Sequence, residues 1–521
     1  MSYKNNAPAG GEGTNIGEAM PDKDTIIAPQ FDPELLGEAA APITPADIAE
    51  EAAAVVQSFR PTPHSEILDR LLDSIEKVDF RSLAELEEGE KLTQKHLLVH
   101  AVERVLEYAA ANGWSICRRD AFIYLYNGAY WKELSPADLR TFLGMAAEKM
   151  GIEKHEARFY QFRQKLLEQF LETANLPSPR PPENTVFINL QNGTFEIGPT
   201  RRELREPRKE DFLRYQLPFA YDPAAAAPTF RRYLDTVLPD PDCQSVLAEF
   251  VAYAFIPHDF LKLEKALLLY GTGANGKSVF FQIVLALLGE NNVSSYSLQS
   301  LTDANGYNRA AIANRLVNFA SELSGKIETS YFKQLVSGEA VEARLPYGQP
   351  FILTNPAKLI FNANDLPRDV EHSHAYFRRF LIVPFTQTIP EEQQDKRLAQ
   401  KIIKTELPGV LNWALEGLKR LLSNHAFTAA EAVRRAVEDY KVSSDSVKLF
   451  LSEVGYKPDA LGFILIRDLY NEYKQFCMDD GYRPTGKTKF IQRLKDDGTH
   501  FERRAIGYVA FLQKTAPDAG L

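Results

Sequence analysis

The chain has 521 residues, 45% of them hydrophobic and 25% charged, and a formal net charge of −10; it is long enough for several domains, each with its own core. Its three cysteines, Cys117, Cys243 and Cys477, lie far apart with no C-x-x-C spacing, which argues against a disulfide framework or a zinc knuckle and suits a reducing compartment. No uninterrupted apolar window reaches the roughly eighteen residues a membrane span needs, and Met1-Ser2-Tyr3-Lys4-Asn5-Asn6 lacks the order of a signal peptide. A soluble, cytoplasmic chain with no membrane partner is expected.

Residues 1–62 are rich in Ala, Gly, Pro and acid and are expected to form a disordered, solvating tail. Ten acids, from Glu12 to Glu51, face only Lys4, Lys23 and Arg60 there. Most of the negative excess therefore sits in the tail, and basic nucleic-acid surfaces remain open to the rest. From His64 to Ala111 the pattern turns helical, with stripes at Ile67, Leu71, Leu72 and Ile75 and at Leu97, Leu98, Val102, Val105 and Leu106. Phe122–Tyr126 followed by Asn127-Gly128 predicts a hairpin, in which Tyr130 and Trp131 read as core packing rather than base stacking. Helices are expected over Ala137–Met150 and Tyr160–Thr173, then a strand–turn–strand over Val186–Phe195, then helix across 229–256.

The stretch Gly271-Thr272-Gly273-Ala274-Asn275-Gly276-Lys277-Ser278 has the form G-x-x-x-x-G-K-[ST]. An apolar run, Ala266–Tyr270, precedes it, and a run of helical length, Val279–Leu288, follows and ends at Gly289. Strand, glycine turn and helix are the context in which this motif cradles phosphates. Glycines let backbone N–H groups curl around the anion, and the helix start adds partial positive charge. Lys277 can reach the outer phosphates of ATP, and Ser278 can hold Mg²⁺.

Two further apolar strands end in polar residues: Arg315–Glu322, ending in a carboxylate, and Leu359–Asn364, ending in an amide. Between them Glu342–Phe351 reads as a hairpin; beyond them come Arg378-Arg379 and the strand Leu381–Phe385. Each of these elements supplies a part that nucleotide hydrolysis needs. Glu322 fits a carboxylate that orients water or holds the metal shell, Asn364 a sensor at the γ-phosphate, and Arg379 or Arg378 an arginine finger.

This order resembles the superfamily 3 helicases of small viruses and mobile elements, most closely the phage- and plasmid-type primase–helicases related to the poxvirus helicase–primase. The likeness spans roughly residues 115–512 and includes Tyr126-Asn127-Gly128, Asn189–Phe195, Pro218–Pro223 and Leu407–Ala414. It implies an AAA+-like α/β P-loop ATPase that forms a hexameric ring on single-stranded or forked DNA during replication. It also implies that Arg344 and Tyr347, on the hairpin, face the channel and that the finger reaches the neighbouring subunit's ATP. Ser321 stands where many relatives carry a second acid, which leaves open whether it or Ser278 with water completes the magnesium shell. With no acidic metal-binding strand pattern ahead of the helicase, a primase is expected on a separate polypeptide.

The expected organisation is an acidic tail (1–62), a helical and α+β helicase-associated domain (63–225), the ATPase core (226–385), a helical extension with helices Glu392–Thr405 and Val410–Leu422 (386–440), and a C-terminal module (441–521). That module resembles a winged helix: helices over Ile466–Tyr473 and Lys487–Lys495, then a two-stranded wing, Phe501–Val509. Lys487, Lys489, Arg493 and Lys495 on or beside the second helix, with Arg503 and Arg504 on the wing, are candidates for phosphate neutralisation. The alternative to a DNA helicase is a DNA-binding replication initiator or regulator in which ATP controls assembly without strand separation.

Overall fold

The structure, a computed structural model, describes residues 61–176, 185–198, 202–321, 323, 327–346, 348–367, 370–482 and 484–514. The acidic tail, Glu322 and Tyr347 lie outside the described residues. The fold is mixed α/β and is built around one parallel sheet. No helix among the described residues is long and apolar enough to cross a membrane.

Helices His64–Ser74 and Gln94–Ala111 come first, followed by the antiparallel sheet β1 (Ser115–Arg119), β2 (Phe122–Tyr126) and β3 (Trp131–Leu134). Every residue of β2 is buried. Phe122, Tyr124 and Tyr126 pack with Trp131, Phe212, Leu268 and Phe361. Ile123 and Leu125 pack with Leu139, Phe142 and Leu166 on the other side. A strand covered on both faces has no position for a polar residue, which is why the run Phe-Ile-Tyr-Leu-Tyr shows no alternation. Trp131 stacks on Phe212 at 5.0 Å and its ring N–H donates to the Lys209 carbonyl at 2.9 Å, so it is a core residue as the sequence predicts. A second antiparallel sheet follows: β4 (Val186–Leu190), β5 (Gly193–Ile197) and β6 (Arg202–Arg205).

The predicted helix across 229–256 is two helices, Pro228–Val237 and Pro241–Tyr253. Pro239 and Pro241 interrupt it, and the Asp240 carboxylate caps the second by accepting from the Asp242 N–H at 2.9 Å. The central sheet holds β7 (Ala266–Tyr270), β8 (Val293–Ser294), β9 (Val317–Ala320), β12 (Lys358–Ala363) and β13 (Phe380–Pro384). Its order is β13-β7-β12-β9-β8 and every pair is parallel. Successive side chains enter opposite cores: Leu267, Leu269, Ile360 and Val383 on one side, Leu268, Phe361, Phe380 and Ile382 on the other. Between β9 and β12 in sequence, β10 (Val341–Arg344) and β11 (Pro350–Leu353) pair antiparallel as the predicted hairpin.

Behind the sheet, the α-helix expected from Glu392 starts only at Leu398, with a 3₁₀ turn at Glu391–Gln393 ahead of it. Helix Leu407–Asn424 packs on Pro241–Tyr253, where the fully buried Glu249 accepts from Arg420 Nε at 2.9 Å and from the Thr428 N–H at 2.8 Å. Helix Glu431–Ser443 lies against β13. The C-terminal part contains helices Ser446–Val454, Ile466–Asp479 and Lys487–Asp496 around Phe450, Tyr473 and Phe490. Strand β14 (Tyr456–Pro458) pairs with β18 (Leu512–Lys514), and β15 (Ile464–Leu465), β17 (Gly507–Ala510) and β16 (Phe501–Arg504) form a small antiparallel sheet.

Candidate active site

The glycine loop leaves the C-terminal end of β7 and enters helix Lys277–Leu288, the end of a parallel sheet at which ligands bind in α/β folds. Gly273 (φ +116°), Ala274 (φ +48°) and Gly276 (φ +87°) curl the chain through left-handed conformations. A methyl group on Gly276 would meet Val237 Cγ1 at 2.6 Å, and one on Gly271 would meet the Phe385 carbonyl at 2.5 Å. Neighbouring elements hold the curl in place. Asn275 Nδ2 donates to the Phe385 carbonyl (3.1 Å), Tyr233 Oη to the Gly276 carbonyl (2.9 Å) and the Ile389 N–H to the Ala274 carbonyl (2.9 Å).

Lys277 is buried, and its Nζ donates to the Gly271 carbonyl at 2.5 Å and to Asn275 Oδ1 at 3.1 Å. Burial lowers its pKa, and both acceptors are neutral. A desolvated ammonium that meets only neutral oxygens among the described residues gains strongly from an arriving anion. The helix start beside it adds favourable potential of the same sign.

These groups open into a cavity of ≈ 660 Å³ lined by residues 273–278, by Thr229, Arg232 and Tyr233 of helix Pro228–Val237, and by residues 393–396. Ser278 is exposed at the first turn of its helix and lines the cavity. So does Asn364, the first residue past β12. Because β12 lies between β7 and β9, its C-terminal end stands beside the loop. The structure therefore brings together Lys277, Ser278 and Asn364. Sequence reasoning missed Tyr233, Arg232 and the 393–396 segment as cavity walls; it expects a helix across 229–256, but which of its residues face the loop depends on tertiary packing.

Arg378 and Arg379 are not in this group. They precede β13, and Phe380 pairs with Ala266 at the opposite end of the sheet from the loop. The intervening five residues put them about 16 Å away along the strands. Arg379 is buried, donating to the Ala375 carbonyl (2.6 Å) and Ser337 Oγ (2.9 Å). Arg378 is the exposed member of the pair, with Nη2 2.6 Å from Glu264 Oε2.

Among the candidate nucleic-acid contacts, Arg344 is exposed on β10, its Nε donating to the Gly348 carbonyl at 3.1 Å. Lys487, Lys489, Lys495, Arg503 and Arg504 are exposed on the C-terminal helix and hairpin. Arg493 differs: its Nη1 is drawn to 3.2 Å from Oδ1 of the buried Asp445 rather than to the exposed helix face.

Residues 103–239 match the family described as "D5 N terminal like", and residues 269–379 match a family of unknown function (DUF5906). The first match falls ahead of the glycine loop, where the sequence places a helicase-associated domain; the second spans the loop, β9, the hairpin, β12 and Arg378-Arg379. Each segment is similar to the family it matches. The solved structure titled "The A form apo structure of NrS-1 C terminal region-CTR" is 12% identical, with 79% of this chain and 98% of that chain covered and a TM-score of 0.44. A second, "The apo structure of NrS-1 C terminal region (305-718)", is 13% identical, with 82% and 100% covered and a TM-score of 0.45.

Proposed function

We propose that the chain is an ATP-driven DNA motor of the superfamily 3 type, acting in replication of a phage, plasmid or integrated element. The observation that carries this reading is the meeting of Lys277, Ser278 and Asn364 in one cavity, from a loop and a strand end far apart in sequence. The D5-like match ahead of them supports the same family. In this reading Lys277 leaves its neutral partners for the β- and γ-phosphates of ATP, while the loop N–H groups hold the remaining oxygens. Asn364 orients the attacking water or senses the γ-phosphate from beside the loop. Mg²⁺, held by phosphate oxygens with the Ser278 hydroxyl, would neutralise developing charge; Glu322 is proposed for its outer shell.

Arg378 cannot serve its own subunit's loop from the far end of the sheet. An arginine finger at that position works only on the nucleotide of an adjacent copy, which favours a closed ring such as a hexamer. The β10–β11 hairpin with Arg344 and Tyr347 would then line the channel around a single strand, and the C-terminal helices and hairpin would form a winged-helix module with Lys487, Lys489, Arg503 and Arg504 towards DNA.

Forked DNA carrying 3′ or 5′ tails, incubated with the chain with and without Mg·ATP, tests this. Strand separation that needs ATP and is lost in Lys277→Ala is expected. ATP turnover indifferent to DNA, with no strand separation, would support the regulator instead.

A further inference from the structure

The C-terminal hairpin carries a braced apolar tip. Strands β16 and β17 pair from Phe501↔Ala510 to Arg504↔Gly507, so the chain turns on two residues, Ala505 and Ile506. Two-residue turns favour Asn, Asp and Gly, yet here an isoleucine stands at the turn, 61% exposed. Its neighbours fix the hairpin. Tyr508, itself 37% exposed, stacks on Phe501 at 5.6 Å. The Arg504 guanidinium lies over Phe463 at 4.4 Å and Phe511 at 5.1 Å and pairs with Glu502 at 2.9 Å. Ile506 thus belongs to neither core nor turn chemistry, and it is held out to solvent by a rigid base.

The charge around the tip is positive. Arg503 is exposed and stands opposite Tyr508 in the register. Lys495, from the adjacent helix, lies 5.8 Å from the Phe501 ring. Two of the three nearby carboxylates are paired with cations, Glu502 with Arg504 and Asp497 with Lys448 at 3.3 Å, while Asp496 accepts from the neutral Gln492 amide at 2.8 Å. An apolar tip between cations matches one chemistry in particular, a stack of bases bordered by phosphates. Apolar wedges that enter base steps and partly unstack them work by this combination, and exposed aromatic rings receive the freed bases.

We infer that this hairpin is a wedge for duplex DNA at the junction between paired and unpaired strands. Ile506 enters the terminal base step, Tyr508 covers the exposed base face, and Lys495 and Arg503 hold the flanking phosphates. The inference rests on the DNA-motor reading for the source of its duplex, but it requires no ATP.

The test uses the full-length chain without nucleotide and a forked DNA with 2-aminopurine in the last base pair of the junction, whose fluorescence rises when that pair unstacks. Wild type and Ile506→Leu are expected to raise the signal on binding. Ile506→Ser should lose most of the rise while its affinity for the fork, read by anisotropy, changes less than about threefold, because phosphate contacts carry affinity. Arg503→Ala with Lys495→Ala should weaken binding and flatten its salt dependence. An unchanged rise in Ile506→Ser, or bound fork with no rise in wild type, would overturn the wedge. Because ATP is absent, a chain that unstacks the junction yet hydrolyses nothing would sink the motor reading and leave the wedge standing.

Discussion

Replacing Gly276 by alanine adds one methyl group at the point where the glycine loop meets its helix. The backbone there has φ +87°, a conformation that costs an L-residue roughly 1–2 kcal/mol. The new Cβ would lie 2.6 Å from Val237 Cγ1 and 3.2 Å from Tyr233 Cε2, against an ordinary carbon contact of about 3.5–4 Å. Val237 is buried and cannot swing clear, and overpacking of this kind costs about 1–3 kcal/mol. The sum is about 2–5 kcal/mol, of which only the clash can be relieved from the other side. Gly276→Ala, Val237→Ala and the double variant, compared by urea denaturation, therefore form a cycle with an expected coupling of at least about 1 kcal/mol. The backbone part should persist in the double variant. ATP binding should weaken in Gly276→Ala as well, since the Gly276 carbonyl that Tyr233 grips moves with the loop. Strict additivity, or a single variant that loses under about 1 kcal/mol, would refute the packing argument.

Three other outcomes follow from the same structure. Burial, then nearby Lys358, lowers the His258 pKa to about 3; burial, then Lys132, lowers that of His64 to about 4. The unfolded chain therefore takes up protons first: stability is full above about pH 6.5 and falls as the pH drops through the window down to these values, by up to about 1.4 kcal/mol per unit per histidine. Urea midpoints measured between pH 6.5 and 5 should show this slope, reduced in His258→Gln; equal midpoints across the window would contradict it. Lys358 is buried with no hydrogen-bond partner for its Nζ among the described residues; the Nζ lies 3.9 Å from the Tyr253 ring centre, and burial drives its pKa well down. Lys358→Met should raise stability by about 1 kcal/mol, because the desolvation removed exceeds a cation–π contact of about 0.5–2 kcal/mol; a loss would point to an ionic role for the amine. Finally, Lys277→Ala and Arg378→Ala subunits, each inactive alone, should regain part of the ATPase when mixed, since one supplies the loop and the other the finger. No recovery at any ratio would count against action across an interface.

How much of this was legible in the sequence depended on how local the cause is. The strand, loop and helix from Ala266 to Leu288 could be read directly, because glycine spacing and apolar run length are properties of consecutive residues. Phe122–Tyr126 was legible as a strand, but its burial on both faces was not, since that depends on which helices and strands cover it. Pro239 and Pro241 break the helix where their rings forbid it, and that signal was present but unweighted. For Asn364, sequence supplied a strand ending in an amide; only the insertion of β12 between β7 and β9 sets that amide beside Lys277. The inward turn of Arg493 and the burial of Arg379 were invisible, because Asp445 and Ser337 are partners only in three dimensions. The wall formed by Arg232, Tyr233 and residues 393–396 was hidden for the same reason.

The central claim is that Lys277 binds the phosphates of ATP and that their cleavage drives the chain along DNA. Steady-state Mg·ATP turnover by the full-length protein, with and without single-stranded DNA, measures it most directly when set beside Lys277→Ala. The account predicts turnover that DNA stimulates and that falls by about 10²-fold or more without the lysine, the scale seen when one charge-stabilising group is removed from an active site. Turnover that survives Lys277→Ala unchanged, or no turnover by the wild type under any of these conditions, would contradict it.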